Sequence, residues 1–468
     1  MSATPTEHAA LVAEVRDRVA GRIPELLPGL RRDLEDLVRI ESVSADPARA
    51  AEVQRSAEAV AALFRAEGFD DVEIVSADGG APAVIGHRAG PAGAPTVLLY
   101  AHHDVQPEND PADWDSPPFE PTERDTPQGP RLFARGAADD KAGIVAHLGA
   151  LRAWGEDLPV HVTVFIEGEE EVGSETLPAL LAAHRESLRS DVIVIADSGN
   201  WDIGEPALTT SLRGLVRVDV EVRTLTHAVH SGMWGGLAPD ALMALTRLLA
   251  SLHDDDGALA ITGLHHGPAA DVEYPEHRLR AESGIAPGVS WVGRGPAVER
   301  LWTQPALTIT GIDAPRVDGA SNTLTPVARA KLSLRVAPGD TSENALARLR
   351  EHLEAHVPWG AQLTVTLVDA GEPTVIDATG PAYDAARAAF TAAWDGVAPV
   401  DMGVGGSIPF IAEFLEAFPA ASVLVTGVED PDTRAHGANE GLHLAEFERV
   451  VVAEALLLGL LGRLPDGA

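Results

Sequence analysis

Cysteine is absent from this 468-residue chain, which removes disulfides, thiolate-bound zinc and a cysteine nucleophile together. Any metal must be held by His, Asp and Glu. Lysine is almost absent as well, with only Lys141 and Lys331, and Lys plus Arg number 35 against 71 Asp plus Glu. The resulting formal charge of −36 repels nucleic acid and anionic membrane, so neither is expected as a partner. No run approaches the roughly 20 apolar residues that span a bilayer. The opening MSATPTEHAALVAEVRDRV mixes acids and bases where a secretory leader needs an apolar centre. A soluble, cytoplasmic protein is expected.

Hydrophobic residues make up 45% and charged residues 23% of the chain, the balance of a protein that buries a large core. At about 150 residues per domain the length calls for two or three compact units, one of them discontinuous. Neither an internal repeat nor a low-complexity tract is visible.

Through the first 200 or so residues, short apolar runs alternate with helical patterns, as in βαβ units around a mostly parallel sheet. Three runs stand out: Thr96–Tyr100 (TVLLY), Val160–Ile166 (VHVTVFI) and Asp191–Ala196 (DVIVIA). After Asp140, Ile144, Val145, Leu148, Leu151 and Trp154 are spaced as one apolar helical face that would pack on the sheet. Near Thr209 the pattern changes to alternating strands, a helix, a loop-rich segment, strands near Ala306–Ile312 and Ala328–Val336, a helix over Ser342–His356 and a strand over Gln362–Val368. This reads as an inserted two-layer α+β domain. From about Ile376 the first pattern resumes, with a helix (Tyr383–Trp394), a glycine-rich turn (MGVGGSIPF), a strand (Ser422–Thr426) and a closing helix (Leu444–Leu461). The expected fold class is therefore α/β with a mixed, mostly parallel sheet plus a two-layer insert. Its parts are 1–208 and 377–468 for the main domain and 209–376 for the insert.

Each of the three strands runs straight into ligand-type side chains. TVLLYAHHD ends in His102, His103 and Asp104; VHVTVFIEGEEE in Glu167, Glu169, Glu170 and Glu171; DVIVIAD in Asp197. Ligands in open α/β sheets bind beyond the carboxyl ends of the strands, so these groups face one crevice. Between them Asp139 and Asp140 open the apolar helix. Taken alone they are ordinary helix-start acids, and Glu169–Glu171 alone is a solvated turn. Together, so many carboxylates need a counter-charge. Divalent metal supplies it, and a site of carboxylate and imidazole without sulfur suits zinc, manganese or cobalt. Two ions need a shared carboxylate and a further imidazole, which His436 in RAHGANEGL can provide.

The stretches AHHDVQP, RGAADDKAG, IEGEEEVGSE, DVIVIADSG, HAVHSGMWGG, KLSLRVAPGD, GVGGSIPF and RAHGANEGL, in this order over nearly the whole chain, resemble the co-catalytic zinc peptidases. That group includes carnosinase-like dipeptidases, glutamate carboxypeptidase, aminoacylase and succinyl-diaminopimelate desuccinylase. The resemblance implies a zinc-peptidase catalytic domain with a lid and dimerisation insert, and two divalent ions, Zn2+ first with Mn2+ or Co2+ as substitutes. It assigns His102, Asp139 and Asp197 to one ion and Asp139, Glu171 and His436 to the other, Asp139 being shared. Asp104 would orient His102, while His103, on the opposite side of an extended segment, would pack or line a pocket. The Asp139–Asp140 peptide is expected to be cis.

By the same resemblance Glu170 is the general base that activates a zinc-bridging hydroxide for attack on an amide carbonyl. A register in which Glu169 takes this place is the competing assignment. His230 would hydrogen-bond the developing oxyanion, delivered from the insert of the opposite subunit of a homodimer. Arg335 would pair with the substrate's terminal carboxylate. Asn322, Thr323, Gly406 and Ser407 are further substrate-binding candidates, and His227 departs from the pattern of many relatives. Aspartate at position 197, with AHHDVQP, resembles the dipeptidase branch. The expected activity is hydrolysis of dipeptides or other small peptides. An N-acyl-amino-acid deacylase on the same scaffold is the alternative, and a non-catalytic metal- or partner-binding relative the alternative of another class. A TIM-barrel hydrolase would want a His-x-His at a strand end and eight regular βα units, which the sequence lacks.

Overall fold

Val97, Leu98, Leu99, Tyr100 and Ala101 are all fully buried, because the strand Thr96–His102 lies inside a sheet covered on both faces, where a run stays apolar instead of alternating. A computed structural model describes residues 5–19, 21–268, 272–406 and 409–464. It divides into two units, one of Met1–Thr210, Ile376–Met402 and Glu413–Ala468, the other of Ser211–Val375 and Gly403–Ala412.

In the first unit, four strands run parallel in the order His161–Glu167, Thr96–His102, Val192–Ile195 and Ser422–Val425. Ala83–Arg88 adds to one side antiparallel, with Glu73–Val75 beyond it. On the other side Ala207–Leu212 pairs antiparallel with Ser422–Val425. Since the four central strands share a direction, their carboxyl ends meet at one edge, with His102 and Glu167 in register. A separate three-stranded sheet joins Thr122–Thr126, Gly129–Phe133 and Gly441–His443. The α/β class expected from the sequence is what the structure has.

The helix Lys141–Trp154 packs on Thr96–His102 as its apolar spacing predicts, yet the expectation of a single buried face needs correcting. Every residue of it except Arg152 is buried, because the helices Ile23–Val38 and Leu444–Leu461 cover its outer side. Its two polar groups there are satisfied. Nζ of Lys141 donates to the carbonyls of Leu37 (2.9 Å) and Ile40 (2.8 Å), and the His147 ring meets Glu454 (2.6 Å) and the Tyr100 carbonyl (3.0 Å).

The second unit is an antiparallel sheet in the order Ala306–Asp313, Val327–Val336, Gly214–Arg223 and Gln362–Gly371. Strict alternation puts Val216, Val218, Val220 and Val222 on one face with Leu332 and Leu334. The helices Ala241–Ala250 and Ser342–His356 cover that face through Leu245, Leu248, Leu349 and Leu353. This is the two-layer arrangement expected of the insert. Among the described residues, no helix is long and apolar enough to cross a membrane.

Candidate metal centre

At the carboxyl edge of the parallel strands, His102 closes its strand and is fully buried. Its Nδ1 faces the backbone carbonyl of Asp104 at 3.0 Å and the Asp104 carboxylate at 3.5 Å. Both partners are acceptors, so Nδ1 carries a proton, and the Nε2 lone pair becomes available to a metal ion once Nε2 gives up its own proton. That Nε2 stands 3.1 Å from Asp139, 3.9 Å from Asp197 and 4.0 Å from Glu170. On the other side of Asp139, Nε2 of His436 lies 3.0 Å from the second Asp139 oxygen and 3.2 Å from Glu171. Two sets of ligand atoms, His102 with Asp139 and Asp197, and Asp139 with Glu171 and His436, each fall within 4.8 Å of one another. The two sets share Asp139.

Backbone geometry explains how a short sequence presents these groups. The Asp139–Asp140 peptide is cis, and Asp140 turns back to accept the backbone N–H of His102 at 3.2 Å. Asp104 accepts the N–H groups of Glu170 (3.3 Å) and Glu171 (3.2 Å), so it steadies the acidic turn as well as His102. Gln106 donates to the Glu171 carboxylate from both backbone (3.0 Å) and side chain (2.8 Å). Glu169 is turned elsewhere: its carboxylate accepts from the N–H of Ala81 (3.0 Å) and of Thr176 (2.7 Å). His103 is buried with its Nε2 on the Pro82 carbonyl at 2.8 Å, and burial pushes its pKa down to about 4. It is a neutral packing residue.

The electrostatics show what the cluster lacks. Burial and then the field of neighbouring acids push Glu170 and Glu171 above the usual carboxylate range, and burial raises Asp197 to about 7. Asp139, despite burial that opposes its charge, is held low by hydrogen bonds from His102 and His436. The hydrogen bonds that His436 donates to the carboxylates of Asp139 and Glu171 raise its own pKa to about 11. Acids that repel one another while gripping protonated imidazoles form a negative field that a divalent cation would relieve. Two imidazoles and three carboxylates without sulfur also match borderline divalent ions. The residues present fit two metal ions.

The remaining candidates lie in the second unit. His230 is exposed and pairs with Thr323 in a two-residue ribbon. Its Nδ1 accepts from the Gly232 N–H at 3.0 Å, and the Asn322 carbonyl accepts from Ser231 at 2.9 Å. His230, Asn322 and Thr323 are thus neighbours. Arg335 is half-buried on the sheet; burial and the field of Arg217 lower its pKa. Gly406 lies in a glycine-rich turn, while Ser407 falls outside the described residues. Arg213 was not singled out by the sequence, but it donates to the carbonyls of Gly405 (3.1 Å), Arg300 (3.2 Å) and Gln304 (3.3 Å) and so pins that turn. Gln106 and Glu440 stand inside AHHDVQP and RAHGANEGL but received no role from the sequence, and Asp140 was read only as a helix-start acid beside the cis peptide.

Residues 98–459 match Peptidase family M20/M25/M40. The chain is 34% identical to a cysteinylglycine-S-conjugate dipeptidase of Corynebacterium striatum over 92% of this chain and 95% of that protein. It is 30% identical to a beta-Ala-His dipeptidase of Rattus norvegicus over 75% of this chain and 73% of that one. Among solved structures it resembles the dipeptidase Dug1p of Saccharomyces cerevisiae, with a TM-score of 0.80 and 25% identity, covering 97% of this chain and 99% of that chain.

Proposed function

Because the chain belongs to Peptidase family M20/M25/M40, we propose that it is a metal-dependent dipeptidase cutting the amide bond of small peptides that carry a free terminal carboxylate. The observation that carries this reading is the pair of ligand triads sharing Asp139. Both curated relatives named above are dipeptidases.

Two divalent ions, with zinc our first choice and manganese or cobalt as substitutes, would supply Lewis-acid polarisation of the amide carbonyl and acidify the attacking water. His102, Asp139 and Asp197 would hold one, and Asp139, Glu171 and His436 the other. Glu170 takes the proton from the attacking water and returns it to the leaving amine. A carboxyl group whose pKa is raised by burial suits both halves of that transfer. Asp104 keeps the His102 proton on Nδ1 and fixes the backbone of Glu170 and Glu171. His230 donates to the oxygen that becomes negative. Arg335 pairs with the terminal carboxylate, while Asn322, Thr323, Gly406 and Ser407 complete the substrate contacts. We assign residues 209–376 the role of lid and dimerisation domain between catalytic segments 1–208 and 377–468, and we place the enzyme in the cytoplasm as a homodimer.

The test is a panel of dipeptides, their C-terminal amides, N-acyl amino acids and tripeptides, assayed with and without added zinc or manganese. Turnover of free dipeptides that collapses on amidation, with Arg335→Ala mimicking that loss on the free acid, is the expected result. Preference for N-acyl amino acids would replace the dipeptidase reading with the deacylase one, and equal rates on acid and amide would remove Arg335 as the clamp.

A further inference from the structure

Glu440 lies four positions beyond His436 and is fully buried, yet it binds no side chain of either triad. Instead its two carboxylate oxygens receive four N–H donors. One accepts from Nη1 of Arg135 (2.6 Å) and the backbone of Gly136 (3.1 Å), the other from the backbone of Ala138 (2.9 Å) and of Asp139 itself (3.1 Å). Every acceptor position of the carboxylate is filled. The loop that presents Asp139 is thereby wrapped around a single anion.

Arg135, with 1% of its surface exposed, carries the arrangement further. Its Nη2 donates to the carbonyl of Gly437, next to His436, at 3.1 Å and to that of Pro107 at 3.4 Å. Pro107 follows Gln106, which grips the Glu171 carboxylate. One buried ion pair therefore touches the three backbone segments that deliver Asp139, His436 and the support of Glu171. The His436 segment needs such a hold. His436 (φ 63°), Arg434 (φ 58°) and Asn439 (φ 59°) all sit in the left-handed region without being glycine, a conformation that persists only when its surroundings over-determine it.

We propose that Glu440, acting with Arg135, is a positioning residue that sets the distance between the two metal sites by fixing the Asp139 backbone against the His436 loop. A buried ion pair is weak evidence for stability on its own. The direction of these bonds, onto the backbone of ligand-bearing loops and not onto neighbouring side chains, is what assigns the role. The proposal rests on the two-metal reading above.

Cobalt titration of the full-length, metal-stripped protein tests it, followed by visible absorption and by the magnetic coupling of paired Co2+ ions. The wild type is expected to take up two ions and show coupling. Glu440→Gln keeps the size but turns an amide NH2 onto N–H donors, and should weaken both binding steps by roughly 10–100-fold with loss of coupling, the scale of removing an outer partner of metal ligands. Arg135→Lys keeps the charge but loses the fork to Gly437, and should weaken one step only. Leu349→Ala, a truncation in the core of the second unit, controls for a general loss of stability and should leave both steps unchanged. Wild-type affinities and coupling in folded Glu440→Gln would overturn the positioning role. If that variant does not fold, unaltered binding in Arg135→Lys overturns it instead. Fewer than two ions on the wild type would overturn the two-metal reading itself, a result separate from either variant.

Discussion

Glu169, Glu170 and Glu171 are chemically identical and consecutive, and only their surroundings separate their tasks. The Glu169 carboxylate is consumed by the N–H groups of Ala81 and Thr176, and that of Glu171 by Gln106 and His436. Glu170 alone keeps its oxygens toward Nε2 of His102 at 4.0 Å while its backbone is tied to Asp104. Glu170→Ala is therefore expected to retain both metals, measured by elemental analysis, and to lose about 10²-fold or more in kcat, the scale of a missing general base. Glu169→Ala should do the reverse. It leaves two partly buried N–H groups without acceptors at a cost of about 1–3 kcal/mol in denaturant stability, with kcat per folded molecule near that of the wild type. A large kcat loss in Glu169→Ala with none in Glu170→Ala would shift the base by one residue.

At the scale of whole elements, the helix Lys141–Trp154 shows both what the sequence exposes and what it hides. Its limits, like those of Ser342–His356 and Leu444–Leu461, follow from local periodicity, and the three strands that end at His102, Glu167 and near Asp197 are legible because apolar runs break abruptly into charge. That the helix is buried all round is not legible, since the helices covering it begin more than a hundred residues earlier and three hundred later. Arg135 and Glu440 meet across a separation of 305 positions, and no spacing rule reaches that far. Gly143 is similar: it looks like a weak point in a helix, but a Cβ there would press on Oδ1 of Asp140 and stand 2.9 Å from the Ala196 carbonyl, one residue before Asp197. The helix start and the strand end are thus in backbone contact only because that position is glycine. Gly143→Ala should cost about 1–3 kcal/mol of stability by overpacking. It should also weaken metal binding through the displaced Asp197, checked by denaturation and by metal titration on the same sample. Wild-type values in both would show that the strand end yields without consequence.

For the whole molecule, the proposed chemistry draws on both units: the carboxylates and imidazoles of the triads lie in the first, and His230, Asn322, Thr323 and Arg335 in the second. An oxyanion donor has to come within about 3 Å of the reacting oxygen, so the role proposed for His230 requires it to be delivered to the site from the second unit of its own chain or of another copy. The segment around it exposes large apolar side chains. His230 is followed by Met233, Trp234 and Leu237, with 76%, 49% and 82% of their surfaces exposed, and contiguous exposed apolar side chains of this size mark contact surfaces. A twofold pair of chains offers each such segment to the other copy by symmetry. If His230 acts across that pair, two crippled chains can repair each other. Mixing His230→Ala with Glu170→Ala should yield mixed dimers in which one site has an intact Glu170 from one chain and an intact His230 from its partner, while the other site has neither. With free subunit exchange at equal amounts, half the dimers are mixed and each has one working site, so activity should return to about a quarter of the wild-type level, by simple binomial pairing under closed twofold symmetry. Exchange is followed independently by labelling each variant with a different fluorophore. Complete exchange with no recovery would mean that His230 serves its own chain or has no part in the reaction.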